Sequence, residues 1–79
     1  MDRDAILEKV VSVAQDTLDI ADGVELTEGT NLKDLGADSF DLLEFVTALE
    51  DEFSLTFDDE AVGTIATIGE VVDAVESAQ

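Results

Sequence analysis

Cysteine and histidine are both absent from this sequence. Without cysteine there are no disulfides, no thiolate metal sites and no thiol nucleophile. Without histidine the chain lacks the usual general base at neutral pH, the usual zinc ligand, and every Ser-His-Asp or Cys-His arrangement. Charged chemistry is left to carboxylates and to three bases, Arg3, Lys9 and Lys33. A self-sufficient enzyme does not follow from such a set, and no catalytic residue or metal site is assigned. Tryptophan and tyrosine are missing too, and four Phe are the only aromatics, which suits a small core of Leu, Ile and Val. No apolar run approaches the length of a membrane span. The start, Met1-Asp2-Arg3-Asp4, is acidic where a secretory signal would be basic, so a cytoplasmic location is expected. Seventy-nine residues give room for a single domain, 1–79, with one core.

What the sequence has in abundance is negative charge. Twenty-one acids face the three bases, for a formal charge of −18. No base follows Lys33, while 13 acids lie between Asp34 and Glu76. Such a field repels nucleic acid and anionic membranes and attracts basic protein surfaces. It also disfavours self-association, so a monomer is expected. A disordered acidic tail would carry similar charge, but 46% of the residues are hydrophobic and recur at helical spacing.

The spacing predicts an all-α fold. Leu7, Val10, Val11, Ala14 and Leu18 mark one face of a helix over residues 3–18, with Ile6 and Val13 beside it and Asp2 or Asp4 as its cap. Over residues 19–38 the periodicity fails. Glycines and Asn31 punctuate this stretch, and the isolated apolar residues Ile20, Val24, Leu26, Leu32 and Leu35 predict an ordered loop pinned to the core. A second helix over 39–53 buries Leu42, Phe45, Val46, Leu49 and Phe53. At about 100° per residue, its opposite face carries Phe40, Glu44, Thr47 and Asp51, flanked by Asp41 and Ala48 and by Leu43 and Glu50. A short third helix is expected over 59–65. A fourth, over 68–77, opens with the capping-box pattern Thr67-Ile68-Gly69-Glu70. The prediction is a four-helix bundle, three principal helices plus a short third, with a long loop between the first two.

Ser39 stands at the head of the second helix, on the border of its two faces. Asp38 and Ser39 are both good N-cap residues, and capping alone would account for either. A serine with no neighbouring base is no nucleophile within its own protein. The alternative is that an exposed hydroxyl there serves another enzyme as an acceptor. A phosphate attached at that point would lie beside free N–H groups and the positive end of the helix dipole.

The stretch Asp34-Leu35-Gly36-Ala37-Asp38-Ser39, with Asp41-Leu42-Leu43-Glu44 and Ala48-Leu49-Glu50-Asp51-Glu52-Phe53 after it, resembles the acyl carrier proteins along nearly the whole chain. That resemblance implies a carrier without catalytic activity. Its Ser39 would accept 4′-phosphopantetheine from coenzyme A through a dedicated transferase, with Asp38 beside it helping to orient magnesium. The arm's thiol then holds acyl groups as thioesters, which supplies the sulfur the sequence lacks. The resemblance implies docking to basic patches on acyl-synthesising and acyl-transferring enzymes through Asp38, Asp41, Glu44, Glu50 and Asp51, with Asp59 and Glu60 from the third helix. Phe40 and Leu43 would add apolar contacts beside the attachment point, and Thr47 lies on the same surface. It further implies an acyl pocket lined by Leu42, Val46, Leu49, Ile65, Ile68 and Val72.

Some positions depart from the family's pattern. Phe40 stands where leucine is usual, and Asp-Ser-Phe occurs in D-alanyl carriers, whereas Gly36-Ala37 and Asp41-Leu42-Leu43-Glu44 look like fatty-acid carriers. Gly63 and Thr64 replace residues that are commonly charged, and Thr47 a larger apolar one. Type II fatty acid synthesis is the expected setting. The alternatives are a dedicated carrier for polyketide, specialised lipid or D-alanine transfer or, in another class, an acidic interaction module binding divalent cations. An EF-hand pattern of spaced ligands is absent from the sequence.

Overall fold

The computed structural model describes residues 2–18, 20, 23–57 and 59–78, with the side chains of Asp59, Ala61 and Thr64 left outside the description. In chain order the elements are α1 (Arg3–Thr17), a 3₁₀ turn (Leu32–Leu35), α2 (Ser39–Phe53), α3 (Asp59–Thr64) and α4 (Ile68–Ala78). No strand occurs among the described residues, and the architecture is an all-α bundle of three long helices and one short one.

Helix α1 starts where the Asp2 carboxylate accepts the Ala5 N–H at 2.9 Å. Its most deeply buried line is Ile6, Val10, Ala14 and Leu18, while Leu7, Val11 and Val13 pack half-buried at the sides. The stripe is thus centred on Ile6 rather than Leu7. Because α1 packs against both α2 and α4, its neighbours decide which part of a broad apolar face lies deepest. Helix α2 contributes Phe45, Val46 and Leu49 to the core, with Leu42 and Phe53 at its margin. It ends at Ser54, whose φ of 54° is left-handed. Beyond it the Glu50 carboxylate accepts the N–H of buried Phe57 at 2.9 Å, which fixes the link to α3.

The long loop is ordered by the start of α4. The first N–H groups of a helix have no partner within the helix. Here Ile68 N–H donates to the Thr30 carbonyl at 3.0 Å and Gly69 N–H to the Glu28 carbonyl at 2.8 Å, while Leu32 N–H donates to the Ala66 carbonyl at 2.9 Å. Leu32 is fully buried, and Ile20, Leu26 and Leu35 pack against the core; Val24, expected to join them, is instead exposed. The same pairing explains why α3 stops at Thr64, before Ile65. Ala66 must present its carbonyl to Leu32 and Thr67 must bridge to Asn31, so the chain has to leave the helix first. Helix α4 then opens with the expected box: Glu70 N–H donates to Thr67 Oγ1 and Thr67 N–H to Glu70 Oε1, both at 3.2 Å.

Two of the three bases hold elements together. Arg3 binds Glu28 of the loop and Asp73 and Glu76 of α4, the Asp73 contact measuring 2.7 Å. The hydrogen bonds from Arg3 hold the Glu28 carboxyl below its ordinary value, and Glu28 and Asp73 in turn raise the guanidinium. Lys9 joins α1 to α2 through Glu52 at 3.4 Å and lies 5.9 Å from the centre of the Phe53 ring.

Candidate functional site

At the head of α2 the competition between two capping residues has a definite outcome. Asp38 is the N-cap: its Oδ1 accepts the Asp41 N–H at 2.9 Å, and Asp41 Oδ2 accepts the Asp38 N–H at 3.3 Å. This reciprocal box places Ser39 one position inside the helix, exposed to solvent. No hydrogen bond among the described residues engages its hydroxyl or the N–H groups of Ser39 and Phe40. A group bonded to Ser39 Oγ would therefore meet two unsatisfied donors and the positive end of a 15-residue helix. Left-handed Gly36, at φ 84°, ends the 3₁₀ turn and feeds the chain into this helix start.

Ser39 opens onto a cleft of about 500 Å³ between α2, the 3₁₀ turn and the end of α3. Leu42 and Leu43 form the α2 wall, Val62, Gly63, Ile65 and Ala66 the opposite wall, and Lys33 closes it on the loop side. Of the residues expected in an acyl pocket, Leu42 and Ile65 line this space. Val46, Leu49, Ile68 and Val72 do not; they are buried in the core beneath it. The reason lies in their depth: all four are buried, and the core closes around them. Val62, Ala66 and Lys33 were missed as lining residues. Their place depends on where the loop and α3 end, and local periodicity carries no signal of that.

The outer face of α2 is acidic and apolar together. Phe40 is 66% exposed and Leu43 57%, unusual values for side chains of that size. Glu44, Thr47 and Asp51 are exposed along the same helix, and Asp38 at its head. Two acids expected on this surface already have intramolecular partners, Asp41 in the capping box and Glu50 at Phe57, and both are half-buried. Glu60 on α3 is exposed, whereas the side chain of Asp59 lies outside the described residues. Among the described residues no three carboxylates converge as a metal site would require, and no helix is long and apolar enough to cross a membrane.

Comparison with known proteins agrees with this geometry. The profile of the family described as "Phosphopantetheine attachment site" matches residues 8–75. An acyl carrier protein of Prochlorococcus marinus (strain MIT 9515) is 39% identical over 77 residues, covering 98% of this chain and 96% of the relative. Among solved structures, the acyl carrier protein of Thermotoga maritima superposes with a TM-score of 0.83 at 29% identity, covering 99% of this chain and 91% of the other. That of Enterococcus faecalis gives 0.78 at 39% identity, with both chains covered in full. The family implies work with acyl-synthesising enzymes and a phosphopantetheinyl transferase. The chain therefore belongs to the acyl carrier protein family, whose members are non-catalytic carriers with phosphopantetheine as their prosthetic group.

Proposed function

We propose that Ser39 Oγ is the attachment point of the phosphopantetheine arm, and that this chain presents acyl thioesters to the enzymes of type II fatty acid synthesis. The observation that carries the proposal is the capping pattern. Asp38 takes the cap, so the adjacent hydroxyl is left exposed and unbonded at the mouth of an apolar-walled cleft. The residues present fit the group: a free hydroxyl to bond it, two N–H donors for its phosphate, and a cleft to receive what it carries. Once bound, the arm supplies the thiol that the sequence lacks. Ser39 contributes its oxygen, and the transferase supplies the machinery that activates it, because a serine without an adjacent histidine is no nucleophile on its own. The exposed carboxylate oxygen of Asp38 is placed to help orient the magnesium of that enzyme.

Partner recognition is assigned to the α2 face. Phe40 and Leu43 supply apolar contact around the attachment point, and Asp38, Glu44 and Asp51 steer basic patches toward it. Asp41 and Glu50 add charge from the flanks, Thr47 a small contact, and Asp59 and Glu60 extend the acidic surface onto α3. An acyl chain enters between Leu42 and Ile65; a long one parts Val46, Leu49, Ile68 and Val72 beneath. The Gly36-Ala37 and Asp41-Leu42-Leu43-Glu44 flanks support the fatty-acid setting in the cytoplasm. Phe40, exposed beside Ser39, favours D-alanine transfer as the second reading.

The test is intact-mass measurement after incubation with coenzyme A, magnesium and a broad-specificity phosphopantetheinyl transferase. One phosphopantetheine is added to the native chain and none to Ser39→Ala. No added mass, or equal labelling of the variant, overturns the assignment. The acyl or aminoacyl species carried by protein purified from its own cells separates the two readings of cargo.

A further inference from the structure

Of the three bases, Arg3 and Lys9 are engaged in ion pairs that join elements of the bundle. Lys33 has no carboxylate partner among the described residues and lines the cleft that Ser39 opens onto. Its backbone is fixed on both sides. The Lys33 N–H donates to Asn31 Oδ1 at 2.9 Å, its carbonyl accepts the Gly36 N–H at 3.0 Å, and the preceding Leu32 is fully buried. A long, flexible side chain is thus mounted on a rigid base at the wall of the cleft. The other residues that line the cleft are Ser39 and the apolar or small residues of α2, α3 and the segment after it.

A phosphodiester on Ser39 Oγ would carry one negative charge in a chain of formal charge −18, with the Asp38 carboxylate immediately before it. The two N–H donors of the first helical turn offset part of that repulsion. A cation on the cleft side would offset more of it, and Lys33 is the base that lines the cleft. We infer that Lys33 is a positioning residue for the prosthetic group. Its ammonium pairs with the phosphodiester and holds the first segment of the arm along the wall formed by Leu42, Val62 and Ile65. This inference rests on Ser39 as the attachment point. Asp34 and Asp38 are the sequence neighbours that compete for the same ammonium, and Asp38 already has one oxygen committed to the Asp41 N–H.

NMR of the full chain with and without its arm tests the pairing, with no acyl group present so that the phosphodiester is the only new anion. Loading, verified by mass, should shift the Lys33 side-chain ammonium and ε-methylene resonances while leaving those of Lys9 in place. In the loaded protein Lys33→Gln should move the phosphorus resonance, Lys33→Arg should leave it close to native, and high salt should reduce the difference between native and Lys33→Gln. Circular dichroism of each variant checks that the fold is intact. A loaded protein with unmoved Lys33 resonances, or a phosphorus resonance indifferent to Lys33→Gln, overturns the inference and leaves Ser39 as the attachment point. Failure of Ser39 to load overturns both.

Discussion

Replacing Gly69 with alanine should destabilise this fold, whereas the same replacement at Gly63 should stabilise it. Both glycines lie in helices, where alanine is ordinarily favoured by about 1 kcal/mol. At Gly69 a Cβ would stand 2.9 Å from the Glu28 carbonyl oxygen and 3.2 Å from the Glu28 Cβ. The nearer atom is backbone, held by the 2.8 Å bond from Gly69 itself, so it cannot swing aside as a side-chain tip would. Relief requires moving the loop off the start of α4, which also weakens the neighbouring Ile68–Thr30 and Leu32–Ala66 bonds. Overpacking of this kind costs about 1–3 kcal/mol, and each weakened hydrogen bond about 1 kcal/mol more. After subtracting the propensity gain, the net loss is about 2–4 kcal/mol. For a domain of this size that corresponds to a fall in Tm of roughly 10–30 °C. A Cβ on Gly63 meets nothing within 4 Å, so only the gain remains, up to about 1 kcal/mol. Thermal and urea unfolding of the two variants side by side is the assay. A Gly69→Ala protein as stable as the native one would refute the argument that the loop is clamped against α4.

The Arg3 clasp should show in the pH dependence of Glu28→Gln. Arg3 depresses the folded value of the Glu28 carboxyl, so this stabilisation is complete above the unfolded value and is lost as pH falls through the folded one. The stability gap between native and variant should therefore be constant near neutral pH and close on acidification, and a gap that persists at strongly acid pH contradicts the assignment. Charge reversal at both Glu44 and Asp51 should slow turnover by a basic partner enzyme strongly at low salt and little at high salt, read as the salt dependence of kcat/KM. Equal loss at all ionic strengths would point to a packing defect instead.

The α2 face, the core stripes of α2 and α4 and the capping box of α4 follow from local chemistry, which a sequence displays directly. Phe45, Val46 and Leu49 fall on one side of a 3.6-residue period, with Phe40, Glu44, Thr47 and Asp51 on the other, whatever the rest of the chain does. Absence was equally informative: a chain without cysteine takes its thiol from the prosthetic group. Asp38 and Ser39 have similar capping propensity, and the reciprocal bond to Asp41, only three residues on, is the local contact that leaves the serine hydroxyl free. Tertiary structure decided the rest. The end of α3 before Ile65 follows from backbone bonds between segments more than thirty residues apart, which propensity does not encode, and the same bonds hold the locally formed 3₁₀ turn at Leu32 against the start of α4. Those same bonds bring Lys33, Val62 and Ala66 to the cleft beside Ser39. Sequence alone identified the serine at the head of α2; the folded loop determined its surroundings, because long-range hydrogen bonding sets the distances between segments.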